Sequence, residues 1–349
     1  MLRALHLANS GQLDQAEALL RYAFEHSPPN LEGLLLLAQI MLRRGRTADV
    51  VAESIMHLGA DAEPALLYRG LAEVFERSGE RKAAEAAFRA ALEQNPDDPR
   101  IALALASLLM RDDRADEAVP ILERAIAKSP GSAELHSAVG IAYLECGWLD
   151  AALAECTAAV RLSPESSDCH CNLGVVLARC GKLAQAQEEF QKAQELDPES
   201  AVVRLNLAQA MAHLGRPDEA LECIAEAARL APQLPDPHIL AGEILAEHSR
   251  WEEAAEAFRQ ATELDRTNCS SWIALGDVLA ELGQFSRAAA AYRQATELAP
   301  DDVYPRLALA RVYQQMNAHD LALEEARAAL ELEPNNPEAR EIMASIPKH

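Results

Sequence analysis

Aromatic residues are scarce in this sequence: three Trp, six Tyr and six Phe amount to 4% of 349 residues, although half of the chain is hydrophobic. That scarcity argues against one large aromatic core and favours many helices meeting through small side chains, alanine above all. Long hydrophobic runs are missing too. Nothing approaches the ~18 apolar residues of a membrane span; the most apolar stretch, residues 31–42, is too short and is followed by Arg43 and Arg44. The opening residues carry Arg3 and His6 and turn polar at Asn9-Ser10-Gly11, which leaves no apolar segment for a secretory signal. Seven cysteines, an odd number, follow no framework spacing, so reduced thiols and a cytoplasmic location are expected. Positive charge is also in deficit. With 32 Lys and Arg against 55 Asp and Glu the formal charge is −23, a field that repels nucleic acid and anionic membrane surfaces alike.

What the chain does have is a period. Pro28, Pro96, Pro130, Pro164, Pro198, Pro232, Pro300 and Pro334 are separated by 34 residues or by 68, and the two skipped places hold Ala62 and Arg266. A fixed period of this length is that of a helix–turn–helix array. Full repeats run 31–64, 65–98, 99–132, 133–166, 167–200, 201–234, 235–268, 269–302 and 303–336. Counting 1 to 34 within each, position 8 is Ala or Gly from Ala72 through Gly140, Gly174, Gly242 and Gly276 to Ala310. Positions 20 and 27 are Ala from the second repeat on, Ala84 to Ala322 and Ala91 to Ala329. Small residues there let two antiparallel helices approach at the short end of the ~8–10 Å packing range. Larger side chains at positions 4, 7, 11 and 24 recur at helical spacing and fill the seam. Gly45, Gly79, Gly147, Gly181, Gly215 and Gly283 at position 15 end the first helix of their repeats.

The repeat 269–302 places Trp272, Leu275, Gly276, Leu279, Ala288, Tyr292, Ala295 and Pro300 in order, and with it the chain resembles the tetratricopeptide repeat family along essentially its whole length. The resemblance extends to bacterial scaffolds of this family and to the repeat region of O-GlcNAc transferase. It implies an all-α fold, a right-handed superhelical solenoid of antiparallel helix pairs. Three segments are expected: a partial repeat over 1–30, nine repeats over 31–336, and a closing helix over 337–349 whose Ala339, Ile342, Met343 and Ile346 cover the last repeat. Repeat 31–64 is degenerate, with Val50, Ser54, His57 and Ala62 in place of Ala, an aromatic, Ala and Pro. Gly59 and Pro64 should shorten its second helix, and Pro120 should cost its helix a hydrogen bond. The first helix enters at position 4 and lacks its opening turn, which favours a chain cut from a longer one, whereas the closing helix favours a natural end.

Cys169-His170-Cys171, with Cys180 beyond, reads at first as a metal or redox cluster. The register argues otherwise. Cys169 and Cys171 point roughly 200° apart around one helix, Cys180 lies about 16 Å further along it, and His170 shares packing position 4 with His136, His238 and Trp272. Only Cys171, at position 5, should face away from the seam.

Positions 2, 5, 9, 12 and 13 cluster opposite the seam, and in the family this face lines the concave groove that usually carries partner contacts. Here it begins basic, with Arg43, Arg77 and Arg111 at position 13, Arg179 two repeats later and Arg69 at position 5. An apolar middle follows, with Leu103, Met110, Ile141, Leu144, Val175, Leu205, Ile239 and Ile273. The sign then reverses: Glu243 and Glu247 form an i,i+4 like-charge pair, repeated by Asp277 and Glu281. An acidic chain has acidic surfaces in any case, and Arg69-Glu73-Arg77 offers local pairing. The carboxylate clamp of co-chaperone members, built from Lys and Asn at positions 5, 9 and 6 of successive repeats, has no counterpart. Asn172 and Asn206, both at position 6, are instead similar to two rungs of the asparagine ladder that holds extended peptides in O-GlcNAc transferase.

The repeats consume the chain and leave no phosphate loop, nucleophile elbow or metal spacing, so neither catalysis nor a cofactor is expected. The expected function is a non-catalytic scaffold holding a partner protein segment. Two alternatives stay open: the recognition arm of a larger glycosyltransferase or sulfotransferase, and a homo-oligomer assembled head to tail through its basic and acidic parts.

Overall fold

Residues 1–346 are described in the computed structural model, and helices are the only regular elements among them. The chain divides into two compact units, Met1–Cys180 and Gly181 onward. The N-terminal unit holds α1 (Leu2–Asn9), α2 (Leu13–His26), α3 (Leu31–Arg43), α4 (Ala48–Leu58), α5 (Pro64–Arg77), α6 (Arg81–Gln94), α7 (Pro99–Arg111), α8 (Ala115–Lys128), α9 (Ala133–Glu145), α10 (Leu149–Leu162) and α11 (Ser167–Arg179). The C-terminal unit holds α12 (Leu183–Leu196), α13 (Ala201–His213), α14 (Pro217–Leu230), α15 (Asp236–Glu247), α16 (Trp251–Leu264), α17 (Cys269–Glu281), α18 (Phe285–Leu298), α19 (Val303–Gln315), α20 (His319–Leu332) and α21 (Pro337–Ser345). Within each unit neighbouring helices pack in sequence, and first helices of successive repeats also touch, as α9 does α7 and α11.

Local chemistry marks where each helix starts and stops. Asn30, Asp98, Ser132 and Ser166 in the N-terminal unit accept a backbone N–H of the first turn that follows, as do Ser200, Asn268, Asp302 and Asn336 in the other. Each such cap is worth about 1 kcal/mol. First helices end in a left-handed residue whose N–H groups close a Schellman pairing: Gly147 N–H reaches Leu144 O at 2.9 Å and Trp148 N–H reaches Tyr143 O at 2.8 Å. Where position 15 lacks glycine the turn persists, with Asp113, Ser249 and Asn317 at φ 58°, 57° and 57°.

The seam inside each pair is as tight as the small residues suggest. A Cβ on Gly140 would lie 2.3 Å from Cys156 Sγ, and one on Gly242 or Gly276 would lie 2.7 Å from the Phe258 ring or 2.6 Å from the Tyr292 ring. The alanines at positions 20 and 27, Ala84 and Ala91 among them, are fully buried in both units. Helix α4 has 11 residues against 14 in α6, as Gly59 and Pro64 lead one to expect. Pro120 sits within a continuous α8, and the Asp116 carbonyl loses its intrahelical donor there.

Position 4 does more than fill the seam. His136 and His170 direct Nε2 to the carbonyls of Pro130 and Pro164 at 3.0 and 2.9 Å. In the C-terminal unit Arg204, Trp272, Arg306 and Arg340 donate to the carbonyls of Pro198, Arg266, Pro300 and Pro334 at 2.7 to 3.1 Å. Each bond spans six residues and ties the end of one helix pair to the first helix of the next. The closing helix, expected over 337–349, is α21, with Ala339, Ile342 and Ile346 buried; positions 347–349 lie outside the described residues. Among the described residues no helix is long and apolar enough to cross a membrane.

Candidate interaction surface

In the N-terminal unit the arginines end their helices on the face opposite the seam, because position 13 is the last residue of each first helix. Arg43, Arg77, Arg111 and Arg179 are all exposed, but their partners differ. Arg43 donates to Ala8 O at 3.1 Å, at the end of α1. Arg77 donates from Nε to the backbone carbonyl of Glu73 at 3.1 Å, whereas the Glu73 carboxylate lies 3.6 Å from Arg69. Arg111 is ion-paired with Glu76 on α5. Arg77 therefore keeps its charge without a carboxylate partner among the described residues, and Arg111 has its charge largely neutralised. Burial pushes the Asp98 carboxyl up, but hydrogen bonds from Arg100, aided by the fields of Arg100 and Arg69, hold it below the ordinary carboxylate range.

Leu103, Met110, Ile141 and Val175 are half-buried, so each offers part of its side chain. Leu144 and Cys171 do not. Both were expected on the open face, but Leu144 is 1% exposed and Cys171 8%. Positions 5 and 12 border the seam, and the approach of neighbouring first helices covers side chains there. Cys169 and His170 are buried as well, and the His170 ring reaches the Pro164 carbonyl. Asn172 donates from Nδ2 to Ser137 Oγ at 2.8 Å, which ties the first helices of adjacent repeats together.

In the C-terminal unit Asn206 is half-buried and Glu243, Glu247 and Glu281 are exposed. Partial desolvation and then the neighbouring Glu247 push the Glu243 carboxyl up. Asp277 differs from these. Its Oδ1 accepts hydrogen bonds from Tyr292 at 2.6 Å and Tyr304 at 3.0 Å. Burial and the adjacent carboxylate push both phenols up, so they stay protonated donors. Asp277, the two tyrosines and Arg311 line a cavity of about 300 Å³, and Arg311 also pairs with Glu338 of α21 at 3.3 Å. Tyr304 and Arg311 occupy open-face positions 2 and 9, and that register is the sequence signal that marks them. Among the described residues no group of three His, Cys, Asp or Glu is arranged to hold a metal. What these faces offer is hydrogen bonding, ion pairing and apolar contact.

Helix pairs repeated at 34 residues, small at the seam and patterned on the opposite face, define an all-α repeat protein. The chain belongs to the tetratricopeptide repeat family: one family model matches residues 7–53, 77–140, 109–170 and 177–244, and two further repeat models match 276–317 and 306–336. No curated protein matches the sequence. Among solved structures, the fold is similar to yeast Tom70 at a TM-score of 0.54 and 17% identity, covering 98% of this chain and 86% of that one. It is also similar to the C-terminal part of a repeat-containing protein from Cytophaga hutchinsonii, at a TM-score of 0.52 and 17% identity over 69% and 99% of the two chains. Pseudomonas aeruginosa pilF matches at 0.51 and 23% identity over 61% and 97%. At these identities the likeness is one of fold. Membership of this repeat family supports a role as a protein-interaction scaffold.

Proposed function

We propose that the protein holds a segment of a partner protein against the open face of its N-terminal unit. The observation that carries this reading is the combination on α5, α7, α9 and α11 of half-buried Leu103, Met110, Ile141 and Val175 with exposed Arg77 and Arg111. A strip of that composition suits an extended segment with apolar side chains and acidic flanks, since apolar contact supplies affinity and the guanidiniums select and orient the acidic groups. Arg77, without a carboxylate of its own, is the stronger anchor; recruiting Arg111 requires displacing Glu76.

The test reverses Arg77 and Arg111 to Glu and compares partner capture from the native cell, by mass spectrometry, with the unaltered chain. Loss of the main partner with unchanged helicity by circular dichroism is the expected result, together with weaker capture as salt rises. Unaltered recovery would remove the arginine row from the contact.

A further inference from the structure

A second surface lies on the other side of α15 from Glu243 and Glu247. Helices α14 and α16, successive second helices, flank an open trough of about 600 Å³ whose floor is α15. This size falls within the ~300–1,000 Å³ of ligand sites. Its cause is a single register position. Position 7 is Leu or Val in the other eight repeats, from Leu37 to Leu309, and buried in all of them. In the repeat 235–268 it is Ala241, which is only half-buried and lines the trough. Opposite it, α14 presents Ala225 and Ala228, so no neighbour makes up the missing volume.

The start of the same repeat also departs from the pattern of its neighbours in the C-terminal unit. Its capping position holds Leu234, and α15 begins after Pro235 with no side-chain cap. His238, at position 4, makes no bond to the Pro232 carbonyl among the described residues; it lines the trough, and burial holds its ring below the ordinary histidine value.

The rim is acidic. Glu252, Glu253 and Glu256 of α16 stand over the apolar floor. Arg250 takes Glu253 at 2.7 Å and Arg259 takes Glu256, which leaves Glu252 with no ion-pair partner among the described residues. The unpaired Glu252 at the rim of a chain of net charge −23 disfavours anionic amphiphiles and favours cationic ones.

We propose that this trough receives the bulky apolar anchor of a basic amphipathic segment from a partner protein: a Leu, Phe or Met side chain enters where the position-7 leucine is missing, and flanking Lys or Arg meets Glu252 and the rim. The geometry is that of a helix laid in a groove between two helices. It is independent of the open face and of the arginine row.

The test uses the full chain and a displayed library of random 16-residue peptides, selected on the unaltered protein and counter-selected on Ala241→Leu. The leucine should fill the trough, raise the melting temperature and lower the affinity of selected peptides at least tenfold by fluorescence anisotropy. Those peptides should pair one bulky apolar residue with Lys or Arg within a helical turn. The exposed double variant Glu252→Lys, Glu256→Lys, which leaves the floor intact, should weaken the same peptides and keeps the test valid if the leucine disturbs folding. Binding to both variants as tight as to the unaltered chain, selection of acidic or purely polar peptides, or no differential enrichment would overturn the proposal. So would a non-peptide amphiphile that co-purifies with the unaltered chain by native mass spectrometry and is lost in Ala241→Leu.

Discussion

Replacing Ser249 with glycine should stabilise the C-terminal unit. Ser249 adopts φ 57° at the turn between α15 and α16, where most other repeats use glycine. A left-handed backbone costs an L-residue ~1–2 kcal/mol, while glycine adds back about 0.5–1 kcal/mol of unfolded-chain entropy. The Ser249 side chain is exposed, and the bonds that define the turn are backbone ones: Ser249 N–H to Ala246 O and Arg250 N–H to Leu245 O, both 2.9 Å. The net gain is therefore about 0.5–1 kcal/mol, read as a melting temperature raised by ~1–3 °C and slower amide exchange in α15 and α16. Asp113→Gly and Asn317→Gly should gain less, because their side chains tolerate this conformation better. Gly283→Ala supplies the converse. Its Cβ would meet nothing within 4 Å, so its penalty is pure backbone strain at φ 69°, about 1 kcal/mol. A neutral Ser249→Gly together with a neutral Gly283→Ala would refute the reasoning, since strain would then decide neither.

Gly276→Ala should cost about 1–3 kcal/mol by denaturant titration, because the Tyr292 ring, 2.6 Å from the new Cβ, is held by its hydroxyl on Asp277 and cannot easily withdraw. Trp272→Phe keeps most of the apolar contact but loses the Nε1–H bond to Arg266 O; a loss of about 1 kcal/mol is expected. Glu17 tests acid sensitivity. Burial pushes its carboxyl up, but hydrogen bonds from Arg21 and Arg44 outweigh that and hold it below the ordinary glutamate value. Its contribution is complete above the unfolded value and is lost as pH falls through the lower folded one. Glu17→Gln should therefore be less stable than the parent at pH 7 by thermal melting, with the difference closing on acidification.

Most of the fold was legible because it is written in small residues. Ala or Gly at position 8 and Ala at 20 and 27 are needed wherever two backbones approach, and the structure buries them for that reason. Three of the nine turns were not legible, since Asp113, Ser249 and Asn317 do not announce a positive φ. Position 4 was half-read: its bulk signalled packing, but bonds to carbonyls six residues back depend on the tips of His, Arg and Trp and have no hydrophobic signature. On the open face, helical angles sorted the side chains correctly where one helix decides exposure, as for Arg77. They failed at Leu144 and Cys171, where a neighbouring first helix decides it. Asp277 read as one more solvated carboxylate because its two tyrosine donors come from different helices.

The bond from position 4 to the carbonyl six residues back has a directional consequence. At the boundaries marked by Pro130, Pro164, Pro198, Arg266, Pro300 and Pro334 donor and acceptor lie on either side, so the C-terminal end of the helix pair there is finished by the pair that follows, as Pro300 is by Arg306. Peeling from the C-terminal side strips a polar partner from the exposed carbonyl at each of these boundaries, whereas peeling from the N-terminal side releases only the donor. The two ends thus fray by unequal steps. The joint ahead of α15, where His238 makes no such bond among the described residues and the helix has no side-chain cap, should be the first cut in the C-terminal unit under limited proteolysis.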